Sequence, residues 1–179
     1  LLGPQLDSLS FSYCQPFMPE KGLGVLLGAT MRLKTLVLAG CSGVGDAHVS
    51  VLAGCCPGIE MLDLSGSIDL TGQGLQILGR RCNSLRSIKC SSCPGISDEG
   101  VEELLAGCPG LLELAVSCCP GVTGTAFLDS DRGKASMARS TNLTKVDVSH
   151  CQHLLPDALK WIAAGTCSLV ELQSAHCPP

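Results

Sequence analysis

Aromatic side chains are nearly missing from this chain: phenylalanine, tryptophan and tyrosine together make up 3% of its 179 residues. A core must therefore be built from Leu, Val, Ile, Ala and Cys, and the hydrophobic share of 45% is enough for one. Net positive charge is lacking too. At −4 the chain offers no global attraction to a polyanion, so nucleic acid is not an expected partner. No apolar run approaches the ~20 residues of a membrane-spanning helix, so no membrane partner is expected either. The opening LLGPQLDSLS has no basic stretch of a secretory signal and no initiator Met, and so reads as part of a longer chain. Catalytic constellations are also wanting. The glycines are spread through turns and form no phosphate loop, and no paired acids recur beside a nucleophile. A non-enzymatic protein with no cofactor and no metal is expected.

Cysteine is the opposite case, with thirteen residues. In a small secreted protein that count would suggest a disulfide framework. Three features argue otherwise here: the number is odd, two pairs are adjacent (Cys55–Cys56 and Cys118–Cys119), and the cysteines recur with a period. With the chain aligned at Leu6, Leu33, Ile59, Leu85, Leu111, Leu143 and Leu169, the steps are 27, 26, 26, 26, 32 and 26 residues. Eight positions after each start stand Cys14, Cys41, Ser67, Cys93, Cys119, Cys151 and Cys177. Three after come Leu9, Leu36, Leu62, Ile88, Leu114, Val146 and Leu172; five after come Phe11, Leu38, Leu64, Cys90, Val116, Val148 and Ser174. Eleven after come Phe17, Val44, Leu70, Ile96, Val122 and Leu154.

Each unit opens on an alternating apolar stretch, the pattern of a short strand. A polar turn follows, with Thr71, Ser97 or Thr123 placed to cap a helix. Next comes a short helical pattern such as Val101–Leu104–Leu105, and a Cys-Pro-Gly turn closes the unit. One strand and one helix cannot bury their apolar sides alone, whereas stacked copies can. Helices need ~10 Å of width and strands ~4.8 Å, so the stack curves with its parallel sheet on the inside.

The pattern L-x-x-L-x-L-x-x-C resembles the leucine-rich repeat. The 26-residue length, the ninth-position Cys, the ISDEG helix entry at 96–100 and the CPG close at 108–110 are similar to its cysteine-containing subclass, found in F-box/leucine-rich-repeat proteins. The fold class this implies is an α/β leucine-rich-repeat solenoid: a curved horseshoe with a parallel β-sheet on the concave face and short helices on the convex face. It would run through 1–179 as a single unit of about seven repeats, the last incomplete, with an inserted loop at 129–142. The spacing Cys90-x-x-Cys93 then joins two structural columns and is not a redox or zinc motif. Columns of reduced thiols point to a reducing compartment, cytoplasmic or ciliary.

If offsets three and five face inward, offsets two, four and six line the concave face. Offset six holds only small residues: Ser12, Ala39, Ser65, Ser91, Ser117, Ser149 and Ala175. That would let a partner's backbone approach, or it would only keep an open sheet soluble. The candidate partner-binding residues are Tyr13, Val37, Asp63, Lys89, Glu113, Lys145, Asp147 and Gln173, a mixed-charge set suited to a protein partner. Offset seven brings Cys118, His150 and His176 into one row. This could ligate a metal but would converge poorly, and a surface rim is the plainer reading. His48 and His153 are expected on a helix and a turn, exposed. Trp161 is expected in convex-side packing. Arg80, Arg81, Arg86 and Lys89 form a local basic run, either solvated or a site for an acidic peptide.

Neither end reads as capped, so the solenoid is expected to continue or to be covered by a partner. What the resemblance adds is two contexts. One is a structural subunit of a large assembly, such as the nexin–dynein regulatory complex of ciliary axonemes. The other is the substrate receptor of a cullin-type ubiquitin ligase, with Skp1 and cullin as partners if an F-box lies outside this segment.

Overall fold

A computed structural model describes residues 5–15, 19–30, 32–128, 142–166 and 168–178. Phe17 and the inserted segment up to residue 141 lie outside the described residues.

Seven strands of three residues each form one parallel sheet in chain order. They are β1 Ser8–Ser10, β2 Thr35–Val37, β3 Met61–Asp63, β4 Ser87–Lys89, β5 Glu113–Ala115, β6 Lys145–Asp147 and β7 Glu171–Gln173. Five α-helices alternate with them: α1 Glu20–Gly28, α2 Asp46–Cys55, α3 Gly72–Arg81, α4 Asp98–Gly107 and α5 Ala158–Gly165. The protein is an α/β leucine-rich-repeat solenoid. Among the described residues no helix is long and apolar enough to cross a membrane.

The strand register pairs equivalent repeat positions without a slip. Leu36 stands opposite Leu62, Leu62 opposite Ile88, and Ile88 opposite Leu114. A one-residue slip would turn this apolar column to solvent, so burial itself fixes the register. All four side chains are fully buried, each worth about 2 kcal/mol of hydrophobic transfer.

The column cysteines have a polar task as well as an apolar one. Each thiol beyond the first repeat donates to the offset-five carbonyl of the preceding repeat. Cys93 reaches Leu64 O at 3.4 Å, Cys119 reaches Cys90 O at 3.2 Å, Cys151 reaches Val116 O at 3.3 Å and Cys177 reaches Val148 O at 3.2 Å. Cys41 makes the equivalent bond to Phe11 O. The exception is Ser67, which is fully buried and whose hydroxyl finds no partner.

Several local expectations need correcting. Thr71 caps α3, accepting from Gln73 N at 3.2 Å. Ser97 occupies the same place before α4 but its side chain makes no capping bond. Thr123 precedes a 3₁₀ turn, Thr125–Phe127, in place of an α-helix. Its hydroxyl donates to Asp98 Oδ2 at 2.6 Å, tying the short turn to the start of α4. His48 is not exposed: it is 7% accessible, and its Nδ1 accepts from Gly45 N at 3.4 Å. It sits at the third position of α2, where an imidazole can turn back onto the cap. His153 does lie exposed on a turn, its Nδ1 at 2.9 Å from Pro120 O. Trp161 in α5 packs half-buried against the core.

Candidate functional site

Parallel strands of three residues leave only the first and third side chains on the concave face. The sequence fills these with charge from β4 onward, and a hollow of about 310 Å³ opens there. Lys89, Glu113, Lys145, Asp147 and Gln173 line it, joined by Ser91, Ala115 and Glu171. Ala115 is its floor: 9% accessible, the smallest residue in a row that otherwise reads Lys89, Asp147 and Gln173 on neighbouring strands.

The walls are held by crossed pairs. Lys89 Nζ meets Glu113 Oε1 at 3.4 Å, and the Ser87 hydroxyl donates to Glu113 Oε2 at 2.6 Å. Lys145 Nζ meets Glu171 Oε2 at 3.2 Å, while Gln173 Nε2 donates to Glu171 Oε1 at 2.6 Å. Those two donors hold the Glu171 carboxyl below its usual range, the Gln173 bond acting most strongly. Asp147 is held differently: its Oδ1 accepts from Ser149 N at 2.9 Å, and no cation among the described residues pairs with it. Behind the charges, Ser117 Oγ donates to Ser91 Oγ at 2.8 Å along the small-residue row.

Of the eight residues proposed from sequence, five therefore meet in one place. Val37 and Asp63 share the face on β2 and β3 but lie outside the hollow. Tyr13 stands at the far end, 81% exposed, its ring over Gly40. Sequence reasoning passed over Ser91, Ala115 and Glu171 as contacts. Their signal was a single Ala between charged members of its column.

The row of Cys118, His150 and His176 proves to be a backbone feature. Offset seven is a left-handed turn in every repeat: Tyr13, Ser92, Cys118, His150 and His176 have φ of 59°, 58°, 57°, 60° and 55°, and Gly40 and Gly66 have 70° and 78°. The His150 and His176 rings stack at 4.6 Å, as strand spacing dictates. Among the described residues no group of three His, Cys, Asp or Glu side chains is placed to hold a metal ion, so the ligand reading of this row is withdrawn. The turn aims each side chain outward along the rim, and parallel neighbours do not converge. The basic run is dispersed likewise. Lys89 enters the hollow, Arg86 donates to Gly110 O at 3.2 Å, and Arg80 and Arg81 occupy the last turn of α3.

Burial disfavours the thiolate form of the core cysteines. Burial pushes Cys119 and Cys108 up to about 12, and Cys82, Cys93 and Cys151 up to about 11. The twelve described cysteines are all free.

No protein-family profile matches the sequence, and no curated protein matches it. Solved structures do share its fold. A chain of the yeast Rad7 and Elc1 complex superposes with a TM-score of 0.70 at 21% identity, over 86% of this chain and 38% of the other. The tropomodulin C-terminal domain of Caenorhabditis elegans gives 0.53 at 12% identity, over 92% and 84%. A chain of a TLR13–ssRNA13 complex gives 0.50 at 15% identity, over 97% and 33%. This chain thus spans about a third of the length of two of the three.

Proposed function

We propose that this chain is a non-enzymatic interaction scaffold that binds another protein on its concave sheet, as a structural subunit of a larger assembly. The observation that carries this reading is the hollow over Ala115, where five of the eight residues chosen from sequence gather between preformed ion pairs. A rigid sheet loses little freedom on binding, so a modest polar surface there can still be selective. Repeat proteins present such concave faces as their usual binding surface. The candidate assembly is the dynein regulatory complex of axonemes, and the proposed compartment is reducing, cytoplasmic or ciliary. Supporting the compartment, five column thiols act as hydrogen-bond donors, a role a disulfide would abolish.

A second reading, the substrate-recognition module of a ubiquitin ligase, is favoured by the likeness to a chain from a two-protein yeast complex, Rad7 with Elc1. One experiment separates them: affinity purification of the full-length protein, with Lys145→Glu as the concave variant and Lys21→Glu on α1 as a control. Skp1 and cullin kept by both variants, with a further substrate chain lost from the concave variant alone, would indicate the ligase module, and axonemal chains lost selectively from the concave variant the assembly subunit. If the concave variant loses no co-purifying chain that the control keeps, the concave face is refuted as the binding surface.

A further inference from the structure

The charges lining the hollow do not balance. Lys89 and Lys145 face Glu113, Asp147 and Glu171. Each lysine is matched to one glutamate, at 3.4 Å and 3.2 Å, and each glutamate takes a further hydrogen bond, from Ser87 or Gln173. Asp147 is left over. One of its oxygens caps the Ser149 amide, and the other receives no hydrogen bond from any described residue. Asp147 is half-buried beside Ala115 and lines the hollow with it.

Asp63 supplies an internal comparison. It has the same position in its repeat and makes the same bond, from Ser65 N to its Oδ1 at 2.9 Å. Its neighbour on β4, however, is the long Lys89 and not an alanine, and Asp63 does not line the hollow. At Ala115 and Asp147 the space and the unmatched carboxylate coincide.

Resting on the concave-face reading above, we infer that this hollow receives a cationic side chain, an arginine or lysine carried by the protein partner. The aliphatic stem would lie over the Ala115 methyl group, and the charged head would meet the free Asp147 oxygen. An anionic side chain is disfavoured because both lysines are already matched and Asp147 would repel it. The small serines Ser91, Ser117 and Ser149 in the next row leave room for the partner's backbone beside the inserted side chain.

The test uses acetyl-Ala-Arg-Ala-amide as the probe, with citrulline and glutamate counterparts, titrated into the isotopically labelled protein and followed by amide chemical shifts at low salt. Saturable shifts of Ala115, Asp147 and Ser149 are expected with the arginine peptide, with about tenfold weaker response to the citrulline peptide. Asp147→Asn keeps the cap on Ser149 and should abolish the difference between the two peptides, whereas Asp63→Asn should leave it intact. Equal responses to arginine and citrulline, shifts that avoid the hollow, no saturable response at all, or preference for glutamate would each overturn the inference. Partner capture that still depends on Lys145 alongside a failed titration would sink this inference alone. Capture indifferent to concave substitutions would sink the underlying reading.

Discussion

At the scale of single residues, the cysteine column sets the clearest test. A thiol at offset eight fills an apolar gap and also satisfies a backbone carbonyl, as Cys119 does for Cys90 O. Ser67 occupies the same place with its hydroxyl unpartnered, because the C–O bond is shorter than C–S and stops short of the preceding carbonyl. Ser67→Cys should therefore raise unfolding stability by about 1 kcal/mol, and Cys119→Ser should lower it by about 1–3 kcal/mol. Urea unfolding under reducing conditions measures both. Equal and negligible shifts would show that the bond to the carbonyl is not what selects cysteine. This column was legible in the sequence because burial tolerates so few residue types there. The left-handed turn beside it was not, although Gly40 and Gly66 signalled it. The other five members are Tyr, Ser, Cys and His, residues that share a backbone conformation and no chemistry, so a row of Cys118, His150 and His176 resembled a ligand set.

At the scale of elements, the helices decide how tightly neighbouring repeats approach. Between α3 and α4 the contact is glycine on backbone: a methyl group on Gly100 would come within 2.5 Å of Gly72 Cα, and one on Gly107 would strike the Gly79 carbonyl. Glycine in a helix ordinarily costs about 1 kcal/mol against alanine. Here the sign should reverse: Gly107→Ala is expected to destabilise by about 1–3 kcal/mol through overpacking, read as a lower urea midpoint. A stabilised variant would show that α3 and α4 are not in close contact. Among the described residues of the fifth repeat, a 3₁₀ turn, Thr125–Phe127, follows the strand, and Asp98 holds it. Its two oxygens accept from Thr123 N, Thr123 Oγ1, Gly124 N and Ala126 N, at 2.9, 2.6, 3.0 and 3.3 Å. Asp46 holds only Thr71 in the corresponding way. Asp98→Ala should thus cost more than Asp46→Ala, by about 1 kcal/mol or more. Sequence pattern located the strands and four helices because apolar periodicity encodes them. The 3₁₀ turn escaped it because Thr123 looks like a cap whether or not a helix follows; what distinguishes it from Thr71 is the further pair of bonds from Gly124 N and Ala126 N to Asp98.

At the scale of the whole molecule, stability is a sum over interfaces between repeats. Leu64, Cys90 and Val116 are fully buried between neighbours on both sides, while Leu9 in β1, Phe11 just after it and Leu172 in β7 are only half-buried. In the 179-residue chain, amide exchange should accordingly be slowest in β3, β4 and β5 and fastest in β1 and β7. Uniform protection would indicate a single cooperative unit. The same interfaces give the molecule an alkaline limit. Desolvation raises Cys82, Cys93 and Cys151 to about 11 and Cys108 and Cys119 to about 12, against 9.0 for a free thiol. Below about pH 8 these thiols are neutral whether the chain is folded or not, and they add no pH dependence. As pH rises from 9 toward 12 they ionise in the unfolded chain first, so their contribution to stability falls, by up to about 1.4 kcal/mol per pH unit for each. All five act in the same direction. Under reducing conditions unfolding stability followed by circular dichroism should therefore be flat to pH 8 and fall between pH 9 and 11, and Cys119→Val should make the fall shallower. A flat profile through pH 11 would mean that the thiols are not buried where repeats meet.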